Sequence, residues 1–85
     1  MYDQAVGEHI KQFIVGHFPL AKTRKLGSSD PLLVGGVLDS LGVLHVVAYL
    51  EKEFNISVTD DDLVPDNFET IDRIVSFVQR KSTAS

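Results

Sequence analysis

Cysteine is absent from the chain, and proline occurs only three times in its 85 residues. Without cysteine there are no disulfides and no thiolate metal sites, so apolar packing must hold the fold, and the composition fits a reducing compartment. No apolar run approaches the roughly 20 residues that a membrane-spanning helix needs. Met1, Tyr2, Asp3 and Gln4 carry neither the basic region nor the apolar stretch of a secretion signal. The expectation is a cytoplasmic, monomeric protein with no membrane partner. Basic residues are scarce where they would matter. Residues 1–38 hold three acids against four bases, whereas residues 39–85 hold nine acids against four, so the net charge of −4 gathers in the second half. That balance argues against a nucleic-acid partner, which needs a basic surface to neutralise phosphates. It suits basic partner proteins instead.

What is present suffices for one small core. The 44% hydrophobic content and the length predict a single domain over residues 1–81, with 82–85 as a flexible tail. Val6, Ile10, Phe13, Ile14 and His17 recur at helical spacing, so a first helix is expected from Asp3 to about His17, weakened by Gly7 and stopped by Pro19. His9 and His17 read as edge residues rather than metal ligands, since no paired ligand motif accompanies them. From Leu20 to Leu38 there is no sustained period, and Gly27, Pro31, Gly35 and Gly36 mark a long connection. Loops of that length are often functional. Leu32, Leu33, Val37 and Leu38 would anchor it, while Lys22, Arg24 and Lys25 read as a solvated stretch.

A second helix is predicted from Ser40 to about Phe54. Val43, Val46, Val47, Leu50 and Phe54 form its core face, and Leu41, Leu44 and Ala48 fall nearly opposite. This second stripe either packs beneath the long loop or is a docking surface for partners, with Glu51 farther along the helix. Glu51, Glu53 and the Asp60-Asp61-Asp62 turn offer an alternative surface. Asn55 is a plausible helix stop. Thr59 and Asp62 have the spacing of a capping box, predicting one short turn through Leu63 before Pro65. The three aspartates lack the alternating ligands and closing glutamate of a calcium loop, so no metal is expected. Phe68 should plug the bundle, and Thr70 should cap a last helix to about Lys81 whose inner stripe is Ile71, Ile74, Val75 and Val78. The fold class is therefore all-α: a small bundle of three longer helices and one short one, with a long loop between the first two.

The stretch Gly36-Val37-Leu38-Asp39-Ser40-Leu41-Gly42 joins loop to second helix. Asp39 is a good N-cap, and Ser40 would then be the first helical residue, with its hydroxyl exposed. A serine hydrolase would need a base on that hydroxyl, but His45 lies five residues on, off its face, and no Gly-x-Ser-x-Gly turn surrounds it. Asp39 with Asp66 could supply paired carboxylates, yet nothing suggests a cleft around them, so no catalytic residue is assigned. A helical interaction module carrying no attached group remains a second reading.

Asp39-Ser40-Leu41, with Gly36-Val37-Leu38 before it and Gly42-Val43-Leu44 after it, resembles the attachment site of the acyl carrier proteins. The resemblance implies a four-helix, non-enzymatic carrier whose Ser40, flanked by Asp39 and Leu41, is joined by a phosphodiester to 4′-phosphopantetheine. It also implies a separate phosphopantetheinyl transferase that uses coenzyme A and magnesium, and downstream synthases or transferases; the outward stripe of Leu41, Leu44 and Ala48, with Glu51, is where such partners are expected to dock. In fatty-acid carriers the helix after the serine is typically acidic, whereas residues 41–49 contain no acid. That departure points to a carrier of a specialised pathway, loaded with an acyl or aminoacyl group by an adenylate-forming ligase.

Overall fold

Apolar residues at helical spacing have somewhere to go only if the helices share a core, and the computed structural model shows them sharing one. It describes residues 4–18, 21 and 27–84. The expected start at Asp3, the stop at Pro19, the loop's first residue Leu20 and the cluster Lys22, Arg24 and Lys25 lie outside these. Among the described residues four α-helices are complete, in order α1 (Gln4–His17), α2 (Ser40–Phe54), α3 (Pro65–Phe68) and α4 (Ile71–Ala84), and there is no strand.

The last helix organises the others, because α1, α2 and α3 all pack against α4. Its Ile71, Ile74, Val75, Phe77 and Val78 are buried with Ile10 and Ile14 of α1 and Val46 and Leu50 of α2 in one cluster. Each such side chain gains about 1.5–3 kcal/mol on leaving water, so ten or so of them carry most of the fold. Phe68 closes the cluster from α3, its ring 5.6 Å from that of Phe77. The α1 period is as expected: Ile10 and Ile14 are buried, whereas His9 and His17 are exposed.

Helix ends follow local chemistry. Asn55 ends α2 in the left-handed conformation, at φ 54° and ψ 47°, where asparagine is among the better tolerated residues. The Thr70 hydroxyl accepts from the Arg73 amide at 3.1 Å and so caps α4. That helix continues to Ala84, beyond the expected end at Lys81. The Thr59 capping box also forms, opening a 3₁₀ turn over Asp60–Asp62. Pro65 departs from expectation. It opens α3 rather than merely following the turn, because proline's fixed φ and missing amide suit the first helical position. The predicted single short element is thus two, the 3₁₀ turn and α3.

The long connection is pinned where it meets the core. Leu32, Val37 and Leu38 are buried and Leu33 is half-buried. The Leu32 amide donates to the Glu69 carbonyl at 2.7 Å, the Asp72 amide to Ser28 at 2.9 Å, and the Leu38 amide to Leu32 at 3.0 Å. Gly36 turns the chain back at φ 80°, which a side chain would resist. These ties deliver residues 39 and 40 to a fixed place above the bundle.

Candidate functional site

With Val37 and Leu38 held in the core, the next residue must turn the chain into a helix. Asp39 does so from an extended conformation, at φ −106° and ψ −172°. Its Oδ1 accepts from the Gly42 amide at 2.7 Å, and its carbonyl accepts from the Val43 amide at 2.9 Å. A carboxylate there also meets the positive end of the α2 dipole. Ser40 is consequently the first residue of α2, and it is exposed.

Beside it lies a groove of about 510 Å³. It is lined by Leu33 and Leu38 of the long connection, by Val43 and Leu44 of α2 and by Leu63, Val64, Pro65 and Phe68, together with Asp39 and Ser40. The wall over residues 62–65 is tied down. Lys81 Nζ pairs with Asp62 Oδ2 at 2.8 Å, Asn67 Nδ2 donates to the Asp62 carbonyl at 2.8 Å, and Arg80 donates to Asn67 Oδ1 at 2.9 Å. The Lys81 contact first, and then the Thr59 amide at 3.0 Å, hold the Asp62 carboxyl down at about 2.

Of the residues singled out in the sequence, Asp39, Ser40, Leu41 and Leu44 come together at this end of α2. The apolar stripe is not roofed by the loop: Leu41 is 61% and Leu44 52% exposed, and Ala48 is exposed too. Val46 and Leu50 on the inner face are fully buried, and Val43, Val47 and Phe54 pack against the core. Ala48 and Glu51 sit farther from Ser40, about 12 and 17 Å along the axis at 1.5 Å per residue. Glu51 is also used within the chain, since its Oε2 accepts from the Val58 amide at 3.0 Å.

Several site features have no signature in the sequence. The far wall of the groove comes from residues more than 20 positions beyond Ser40, and no periodicity links the two. Val34, in the long loop, is 87% exposed. Tyr49 stacks on Phe13 with centroids 4.1 Å apart, and its hydroxyl donates to the His9 carbonyl at 3.2 Å. Partial burial, helped by Glu53, raises the Tyr49 phenol above its ordinary range.

These residues fit a phosphodiester-linked arm at Ser40. Ser40 is exposed, the adjoining helix N-terminus favours negative charge, and an apolar groove opens beside it. No helix among the described residues is long and apolar enough to cross a membrane.

Comparison with known proteins points the same way. Residues 23–78 match the family described as "Phosphopantetheine attachment site". The chain is 33% identical over 55 residues to the "Probable acyl carrier protein PigG" of Serratia sp., which covers 65% of this chain and 63% of that one. It is 38% identical over 50 residues to the "D-alanyl carrier protein" of Streptococcus pyogenes, covering 59% of this chain and 63% of the relative. The chain thus spans 63% of the length of either relative.

Proposed function

Since the chain belongs to the phosphopantetheine attachment-site family, we propose that Ser40 bears 4′-phosphopantetheine and that the protein carries an acyl group between enzymes of a specialised biosynthetic pathway. The observation that carries this reading is an exposed serine at the first position of a helix whose first turn is held by the Asp39 cap. When attached, the arm supplies a thiol that holds the cargo as a thioester. The chain's own residues have three tasks. Asp39 fixes the first turn of α2, Ser40 provides the oxygen for the phosphate ester, and Leu41, Leu44 and Ala48 offer partners an apolar face. Glu51 adds charge to that face. The phosphopantetheinyl transferase, not this chain, activates the Ser40 hydroxyl, so the protein is a substrate in each reaction; we also place it in the cytoplasm as a monomer.

The cargo is acyl or aminoacyl, loaded by an adenylate-forming ligase. One specific observation favours keeping the aminoacyl alternative: a relative that is 38% identical over 50 residues is named for D-alanine. The test is the intact mass of protein purified from its native host, before and after hydroxylamine, which cleaves thioesters. A group on Ser40 that loses part of its mass to hydroxylamine identifies the cargo. A mass equal to the bare chain in cells where the pathway is running contradicts the proposal.

A further inference from the structure

Gly42 lies in the first turn of α2, where nothing about helix propensity asks for glycine; alanine would be the better helix former. It is nevertheless buried, in a turn whose neighbours Leu41 and Ser40 are exposed. A methyl group built on it would lie 2.9 Å from Cε1 of Phe18, 3.2 Å from Asp39 Oδ1 and 3.4 Å from Cδ2 of Leu38. The first distance is shorter than real side-chain contacts allow, so either Phe18 or the helix turn would have to move.

Phe18 is poorly placed to yield. Its amide donates to the Ile14 carbonyl at 3.0 Å and its own carbonyl accepts from Ala21 at 3.0 Å, so its backbone is fixed just past α1. Its ring meets that of Phe13 edge-on at 6.3 Å, and Phe13 is itself stacked between His17 at 4.3 Å and Tyr49 at 4.1 Å. Tyr49 belongs to α2. A row of aromatic rings therefore runs from the middle of α2 through α1 and back to the first turn of α2, ending against the bare Cα of Gly42.

We infer that Gly42 is a positioning residue for Ser40: by lacking a side chain it lets the first turn of α2 lie beside the braced Phe18 ring without being pushed aside, so that the Asp39 cap alone sets the direction in which the Ser40 hydroxyl is presented to the transferase. The inference rests on the proposed carrier role. The Gly42 amide is also the one that Asp39 holds. A displaced Gly42 would loosen the cap and turn the serine together, without touching the hydroxyl itself.

The test compares phosphopantetheine transfer from coenzyme A, by a broad-specificity transferase, to four proteins: wild type, Gly42→Ala, Phe18→Leu and the double variant. Urea unfolding of each allows rates to be compared on folded protein. Leucine lacks the Cε1 atom that the new methyl would strike. Gly42→Ala is expected to lose about tenfold or more in kcat/KM, chiefly through kcat, as misplacement of a reacting group does. Phe18→Leu should load normally, and the double variant should return to within about twofold of Phe18→Leu, a gain that non-interacting sites would not show. A merely structural glycine would change the unfolding midpoint but leave the rate of the folded protein alone. Folded Gly42→Ala loading at the wild-type rate overturns the inference, as does a double variant as slow as Gly42→Ala. If Gly42→Ala does not fold in buffer alone, its rate is read in trimethylamine N-oxide, which favours the folded state: slow loading there supports the inference and a wild-type rate refutes it. Failure of wild type to load would sink the carrier reading and this inference with it, whereas equal loading of wild type and Gly42→Ala sinks the inference alone.

Discussion

Replacing Asp39 by alanine removes one short hydrogen bond, from the Gly42 amide at 2.7 Å, and leaves the rest of the loop anchored. Losing an N-cap costs about 0.5–2 kcal/mol. Up to about 1 kcal/mol of that is the carboxylate's attraction to the helix dipole, and salt screens it. A chain of 85 residues at about 0.05–0.15 kcal/mol per residue has roughly 4–13 kcal/mol in hand, so Asp39→Ala should stay folded. Its melting temperature should fall by about 4–8 °C for each kcal/mol lost. Asp39→Asn keeps an acceptor in place and should lose only the dipole part. Urea unfolding at low and moderate salt separates the two contributions, and hydrogen exchange at the Gly42 amide reports the bond itself. An Asp39→Ala protein with wild-type stability and unchanged exchange at Gly42 would refute the assignment of Asp39 as the cap that holds Ser40.

Other consequences are equally direct. Leu50 is fully buried, and Leu50→Ala should cost about 2–5 kcal/mol, read as a lower urea midpoint; no shift would mean that the inner face of α2 is misassigned. Leu44→Glu should unfold near the native midpoint, since exposed positions usually shift stability by about 0.5 kcal/mol or less, yet load or transfer more slowly with its cognate enzymes. Should it fold and load normally, partners dock elsewhere on the chain. The Asp62 carboxyl, held at about 2 in the fold, ionises near ~4 when unfolded. Its folded value is the lower one, so the pairing stabilises fully above about pH 4 and the benefit is lost as pH falls toward 2. Lys81→Met should therefore be less stable than wild type at neutral pH, with the gap closing over that acid range; a gap independent of pH would exclude the ion pair as its cause.

Local rules made most of the scaffold readable. The 3.6-residue period placed the inner faces of α1, α2 and α4, and capping chemistry placed Asp39, Asn55, Thr59 and Thr70, because each rests on neighbours within one or two turns. Pro65 misled because proline both terminates and initiates helices, and local sequence alone did not distinguish the two. The groove was not legible. Its walls join Leu33 and Leu38 to Leu63 and Val64, and the clasp beneath them joins Asp62 to Lys81, 19 residues away. Phe18 against Gly42 is a contact of the same kind, set by how α1 lies on α2 rather than by anything either residue does locally. Leu41 and Leu44 were legible as a stripe, but only the structure showed that the loop leaves them bare.

The claim that Ser40 is the attachment point is tested most directly by incubating the protein with coenzyme A, magnesium and a broad-specificity phosphopantetheinyl transferase, then locating the product by fragmentation mass spectrometry. A single phosphopantetheinyl group is expected on Ser40 in wild type and none in Ser40→Ala. Labelling that survives the substitution, or an unlabelled wild type beside a control carrier that is fully modified, would contradict it.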